Sequence, residues 1–191
     1  MKKLYIFDAG NVVLVDINVL VPAAQALGIK DVDAFKADYA KYDFPLMDGS
    51  VSWEAYWSHV EALFGVKAPR TNLFLDLFHP RYNKLVTDKI ADLRKQGCKV
   101  ALGTNTFDIH WNYMTGVMHI DDLFDGCYAS HLMRVTKPDF RFYEMILQNQ
   151  GVDARDAFFF DDLKANIEGA RKGGLDGLVY TDEAFKAYWG L

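Results

Sequence analysis

Apolar residues follow two rhythms along this chain. Short runs that are apolar at consecutive positions recur at Leu4–Phe7, 98–102, Gly126–Ala129, 157–160 and 177–180. Unbroken runs of this length fit strands buried on both faces, as in a parallel sheet. Between them the spacing turns helical. Residues 82–96 place Leu85, Ile90 and Leu93 on one face and stop at Gly97. A helix begins near Asp108, another spans Phe140–Gln150 and stops at Gly151, and a third covers 165–172 before Gly173-Gly174. Strand–helix alternation of this kind predicts an α/β fold with a doubly wound parallel sheet.

Residues 16–80 break the alternation. After the first strand, residues 12–15 stay largely β-branched, and Asp16 and Asn18 can then start a helix. Helical spacing follows over 19–27, 32–42, 52–64 and 73–78, with breaks at Gly28, at Pro45 with Gly49, and from Gly65 to Pro69. Ser52 has the character of an N-cap, and Trp53, Tyr56, Trp57 and Val60 behind it form a core-facing stripe. No strand is expected here. The domain reading is therefore a core of residues 1–15 and 81–191, interrupted by an all-helical insertion over 16–80.

Polar groups stand at the carboxyl ends of the predicted strands: Asp8, then Thr104-Asn105, then Lys137 after a loop, then Asp161-Asp162. In a parallel sheet these ends share one edge, which is where open α/β sheets bind ligands. Three carboxylates with a backbone carbonyl near Gly10 make an all-oxygen set suited to Mg²⁺. A hydroxyl and an ammonium are donors for phosphate oxygens. A carboxylate in such a site is also a possible phosphoryl acceptor.

Four stretches then resemble, in order, the motifs of the haloacid dehalogenase superfamily, most of whose members are phosphatases. They are Phe7-Asp8-Ala9-Gly10-Asn11-Val12, Leu102-Gly103-Thr104-Asn105-Thr106, Lys137-Pro138-Asp139 with Tyr143, and Phe159-Phe160-Asp161-Asp162 with Asn166 and Gly169-Ala170. The resemblance implies Asp8 as nucleophile and Mg²⁺ ligand, with the Gly10 carbonyl as a second ligand. It implies Thr104 and Asn105 around the transferring phosphoryl group, with Asn11 beside them in the substrate site. Lys137 would stabilise charge on that group and on Asp8, while Asp162 binds Mg²⁺ directly and Asp161 through water. The insertion takes the place of the family's small helical cap, in which the Asp48-Gly49-Ser50 loop would face the active site.

One position departs from the pattern. Gly10 stands where most of the phosphatases carry a second aspartate, the general acid and base. Help of that kind is worth about 10²–10⁴-fold, so a leaving group that needs little protonation is expected, such as an anomeric or aryl oxygen. Asp16 or a cap residue is the candidate substitute. The Gly-Asn-Val form of the first motif also resembles a bacterial subgroup that includes α-D-glucose-1-phosphate phosphatase, which implies a sugar phosphate. Two other readings stay open at this point: a haloacid dehalogenase-type hydrolase, against which the paired Asp161-Asp162 argues, and a binder of a phosphorylated ligand without catalysis.

Composition narrows the partners. Of 191 residues, 51% are hydrophobic and 25% charged, with a formal net charge of −5, so a packed globular protein is expected rather than a disordered one. No dense Lys/Arg run is present to release counterions from nucleic acid or an anionic membrane. A small phosphorylated metabolite is the expected partner. The two cysteines, Cys98 and Cys127, lack metal-type spacing, and the basic N-terminus lacks the apolar core of a signal peptide. A soluble, cytoplasmic protein is the expectation.

Overall fold

The computed structural model describes residues 1–69 and 71–191. Its centre is a parallel sheet of β1 (Leu4–Phe7) and four later strands. Two residues of β2 (Leu14–Val15) follow, and then five helices: α1 (Leu20–Ala26), α2 (Val32–Tyr39), α3 (Asp43–Met47), α4 (Trp53–Phe64) and α5 (Leu73–Asp76). β3 (Arg81–Tyr82) pairs antiparallel with β2, so the chain leaves the core and returns to it at one point. The remainder alternates: α6 (Lys84–Lys95), β4 (Lys99–Thr104), α7 (Asp108–Gly116), β5 (Gly126–Ala129), α8 (Ser130–Met133), α9 (Phe140–Gln150), β6 (Ala157–Asp161), α10 (Lys164–Lys172), β7 (Gly177–Val179) and α11 (Asp182–Trp189).

Strand order is β5-β4-β1-β6-β7, with β1 central between β4 and β6. Phe7 is level with Leu102 on one side and Phe160 on the other. Asp8, the next residue, therefore emerges at the same height as Gly103-Thr104 and Asp161. Side chains alternate across the sheet. Leu4, Ile6, Ala101 and Phe159 face one core with Phe142, Ile146 and Ile167 of α9 and α10. Tyr5, Phe7, Leu102 and Phe160 face the other, which runs on into the helices of residues 20–76.

Several predicted elements shift for local reasons. Pro45 does not break the chain; it is the third residue of α3, in a first turn whose amide groups have no intrahelical acceptor. The helix expected over 82–96 starts only at Lys84, because Tyr82 is held in β3. α11 lies beyond the last predicted strand. Its Thr181 hydroxyl accepts from the Ala184 amide, and its Phe185 and Trp189 rings stand 5.2 and 6.1 Å from Phe160, covering the sheet. No helix among the described residues is long and apolar enough to cross a membrane.

Candidate active site

The ends of β1, β4 and β6, with the loop before α9, bring Asp8, Thr104, Lys137, Asp161 and Asp162 together. Lys137 is 1% exposed and uses all three of its donors. Its Nζ lies 2.8 Å from Asp8 Oδ1, 2.7 Å from Asp161 Oδ2 and 3.0 Å from the Gly103 carbonyl. Burial works to lower the lysine pKa, but Asp161 and Asp8 outweigh it and hold the ammonium above its usual value. At Asp8 burial dominates and pushes the carboxyl up to about 7, with Lys137 pulling the other way and Asp161 adding to the rise.

Asp161 is fully buried and saturated with donors. Asn166 Nδ2 reaches both its oxygens at 3.0 Å, the Leu163 amide donates to Oδ1, and Lys137 takes Oδ2. Asn166 is itself fixed by the Tyr143 hydroxyl, which donates to its carbonyl. Asp162 is more open. Its Oδ2 accepts from Asn11 Nδ2 at 2.8 Å, and Asn11 occupies the left-handed region with φ 56°. One oxygen from each of Asp8, Asp161 and Asp162 falls within 4.8 Å of the others. An all-carboxylate set at that separation fits a hard divalent cation such as Mg²⁺. Asp8 and Asp162 have the freer oxygens, whereas the saturation of Asp161 fits an outer, orienting place.

Asn105 does something the sequence does not reveal. Its side chain clamps the Lys137 backbone at two points: Nδ2 donates to the Lys137 carbonyl and Oδ1 accepts from the Lys137 amide. Ser130 is likewise silent in the sequence. Its Oγ accepts from the Thr106 amide and lies 3.1 Å from the Met47 carbonyl, tying the loop after β4 to the end of α3. Neither has a signal in a single sequence, because both act on backbone groups far away in the chain.

Beside the carboxylates lies a cleft of about 400 Å³ between the sheet edge and the helices of residues 20–76. Gly10, Asn11, Thr104 and Asn105 border it, and its wall comes from Leu14, Ile17, Val19 and Leu20 on one side. Tyr39, Met47, Phe78, Phe107 and Met114 close the other, with His110 stacked on Phe78 at 3.8 Å between ring centres. Two expectations are corrected. Asp16, the candidate substitute for the missing acid, is placed away from the cleft: it pairs with Arg81 across β2 and β3 and is not among the lining residues. The Asp48-Gly49-Ser50 loop does not face this cleft either: Arg134 donates to the Asp48 carbonyl, and Gly49 lines a separate hollow with Asp108, His131 and Arg134.

Known proteins are similar to this chain. A sesquiterpene phosphatase, AstK, of Aspergillus oryzae is 34% identical over 97 residues, covering 51% of this chain and 50% of its own. Phosphatase MT3486 of Mycobacterium tuberculosis is 31% identical over 87 residues, covering 45% and 40% respectively. The chain thus spans about half the length, or less, of the curated relatives it matches. Among solved structures, the magnesium complex of HAD family enzyme bt-2542 from Bacteroides thetaiotaomicron superposes with a TM-score of 0.82 over 98% of both chains, at 19% identity. The L-2-haloacid dehalogenase of Xanthobacter autotrophicus, with chloropropionic acid covalently bound, gives 0.68 at 17% identity, over 96% of this chain and 80% of its own. These two likenesses show the fold alone. The family model of haloacid dehalogenase-like hydrolases matches residues 2–174. With Asp8, Lys137 and the Asp161-Asp162 pair meeting at the sheet edge, the chain belongs to the haloacid dehalogenase-like hydrolase family.

Proposed function

We propose that this hydrolase is a Mg²⁺-dependent phosphatase of a small phosphomonoester, working through a phosphoryl group carried on Asp8. The observation that carries this reading is the three-carboxylate cluster with Lys137 seated between Asp8 and Asp161. Asp8 and Asp162 would hold the ion with the Gly10 carbonyl, and Asp161 would act through water. When bound, Mg²⁺ supplies positive charge against the carboxylates and the phosphoryl oxygens. Asp8, its approach fixed by Lys137, attacks phosphorus as the bond from phosphorus to the ester oxygen breaks and the alcohol leaves with that electron pair. Thr104 and the Asn105 backbone donate to the phosphoryl oxygens, Lys137 balances their charge, and water then releases phosphate from Asp8.

In the same reading residues 16–80 serve as a cap over the core of residues 1–15 and 81–191, excluding water from the cleft. Two crystallised forms of bt-2542 hold magnesium and inorganic phosphate together, and the phosphatase relatives point the same way. The sugar phosphate implied by the Gly-Asn-Val motif is one candidate substrate, supported by that motif alone. The free cysteines Cys98 and Cys127 support a reducing compartment, the cytoplasm, as its place.

The test is phosphate release from an aryl phosphate with and without Mg²⁺, in wild type and Asp8→Asn. Release that needs Mg²⁺ and falls at least about 10⁴-fold in the variant is expected for loss of a nucleophile. Equal rates in the two proteins would refute the role of Asp8.

A further inference from the structure

Among the described residues, the lining of the cleft carries no Asp, Glu, Lys, Arg or Cys, and Tyr39 and His110 are its titratable groups. Both are engaged. The Tyr39 hydroxyl donates to Asp43 Oδ1 at 2.7 Å, and His110 Nε2 lies 3.2 Å from the Phe74 carbonyl. Burial drives the tyrosine pKa up and the histidine down to about 4, so neither offers a ready proton at neutral pH. The asparagines of the cleft are partly occupied, Asn105 at both amide atoms and Asn11 and Asn18 at one each. Asn11 donates to Asp162, Asn18 Oδ1 accepts from the Leu20 amide, and Asn105 is held at both ends by Lys137. A polyhydroxylated leaving group would lose its water against Val19, Leu20, Phe78 and Met114, with the open ends of Asn11 and Asn18 and the hydroxyls of Thr104 and Thr106 to replace it, fewer partners than a sugar's hydroxyls need, which disfavours binding.

A Cβ placed on Gly10 would come within 2.8 Å of Ile17 Cδ1 and 4.0 Å of Asp8 Oδ2. A side chain at position 10, from which an acid could reach a departing oxygen, would therefore have to displace the end of the Ile17 side chain beside the Asp8 carboxylate. Aromatic rings and the thioethers of Met47 and Met114 are surfaces on which a flat apolar ring packs well.

We propose that the cleft selects a phosphomonoester of an apolar aromatic alcohol, an aryl phosphate, whose oxygen leaves without being protonated by the protein. This rests on the phosphatase reading and names the substrate class for that site. The bond from phosphorus to the aryl oxygen breaks as the bond to Asp8 forms. The electron pair stays on the aryl oxide, which takes its proton from solvent. Water then adds to phosphorus, the Asp8 carboxylate departs, and the proton of that water ends on phosphate.

Three measurements with Mg²⁺ present test this. First, calorimetric titration of Asp8→Asn with 1-naphthyl phosphate and with α-D-glucose 1-phosphate reads the cleft without turnover. Naphthyl phosphate is expected to bind at least about tenfold tighter, a margin that one apolar contact set can supply; equal or tighter binding of the sugar phosphate overturns the proposal. Second, kcat/KM of the wild type over substituted phenyl phosphates is expected to rise steeply as the phenol becomes more acidic, because the departing charge is not relieved by a proton. A flat dependence overturns unassisted departure. Third, Gly10→Asp with Ile17→Ala, which opens the space for an acid, is expected to flatten that dependence and to raise the rate on hexyl phosphate relative to phenyl phosphate; unchanged selectivity counts against the place given to Ile17. Failure of wild type to exceed Asp8→Asn on every phosphate would instead strike the phosphatase reading, and the first titration would still judge the cleft.

Discussion

On the floor beside the cleft, Lys137 holds Asp8, Asp161 and the Gly103 carbonyl with one donor each, and Asn166 and the Leu163 amide complete Asp161. On the wall, Phe78, Phe107, Met47 and Met114 meet the same space with rings and thioethers and no charge. The floor is fixed by directional bonds between residues at neighbouring strand ends. The wall is fixed by packing between helices that the chain reaches in separate passes. A buried charge must be matched atom by atom, because each unmatched one costs several kcal/mol. An apolar wall tolerates exchange of volume at less than about 1.5 kcal/mol. The floor is thus the part built for one chemistry, and the wall the part free to change its substrate.

The sharpest way to break this contrast is Lys137→Met, which keeps the length of the side chain and removes its charge. Asp8 and Asp161 would then face each other without their shared cation. Breaking a buried pair in this way is expected to lower unfolding free energy by about 3–5 kcal/mol, measured by urea denaturation of the metal-free protein. Met114→Leu in the wall should lose less than about 1.5 kcal/mol in the same assay. Comparable losses in the two would show that the floor is no more tightly specified than the wall.

Position can be separated from chemistry at Gly169. A Cβ there would run into the Pro138 carbonyl, so α10 packs against the Lys137–Pro138 segment only because residue 169 has no side chain. Gly169→Ala leaves every charged and hydrogen-bonding group of the site in place and pushes that segment away. Overpacking of this kind costs about 1–3 kcal/mol, and displacement of Lys137 from Asp8 is expected to lower kcat while leaving KM within about twofold. A variant with unchanged kcat would show that the seating of Lys137 does not depend on this contact.

The contrast between floor and wall also explains what the sequence disclosed. Asp8, Thr104, Lys137 and Asp161-Asp162 are legible because each follows a buried strand or its loop, and strand ends of a parallel sheet converge whatever the details of packing. The sheet, α6, α9 and α10 are legible for the same reason: their periodicity is strong and local. Asn105 clamping the Lys137 backbone, Ser130 reaching Met47, and Ile17 standing over Gly10 depend on which distant surfaces meet. No single-sequence pattern encodes those meetings. α3 is not legible because Pro45 reads as a break in the sequence, whereas a first helical turn accommodates proline. α11 carries its own local signal, Thr181 before Asp182-Glu183 and the stripe of Phe185 and Trp189, but it lies outside the strand–helix alternation that identifies the other elements.

An effect that shows only as pH changes lies where wall and floor come nearest in character, at His110. This ring is 6% exposed, and burial lowers its pKa from 6.5 to about 4, while its bond to the Phe74 carbonyl and the nearby Asp108 act in the opposite direction. Because the folded value is the lower one, the unfolded chain binds more protons between those limits. The stability contribution is therefore whole above about pH 6.5 and is lost as pH falls towards 4. At about 1.4 kcal/mol per pKa unit the loss reaches at most about 3.5 kcal/mol. His131, whose pKa burial also lowers, adds to the acid sensitivity of the wild type, so the informative quantity is a difference between proteins. His110→Gln keeps a donor for the Phe74 carbonyl and removes the titrating ring. It is expected to be less stable at pH 7, where the stack on Phe78 is lost, and to lose less on acidification. Urea midpoints of the two proteins should then converge from pH 7 to pH 4; parallel curves would mean that the buried ring takes up its proton in the folded state as readily as in the unfolded chain.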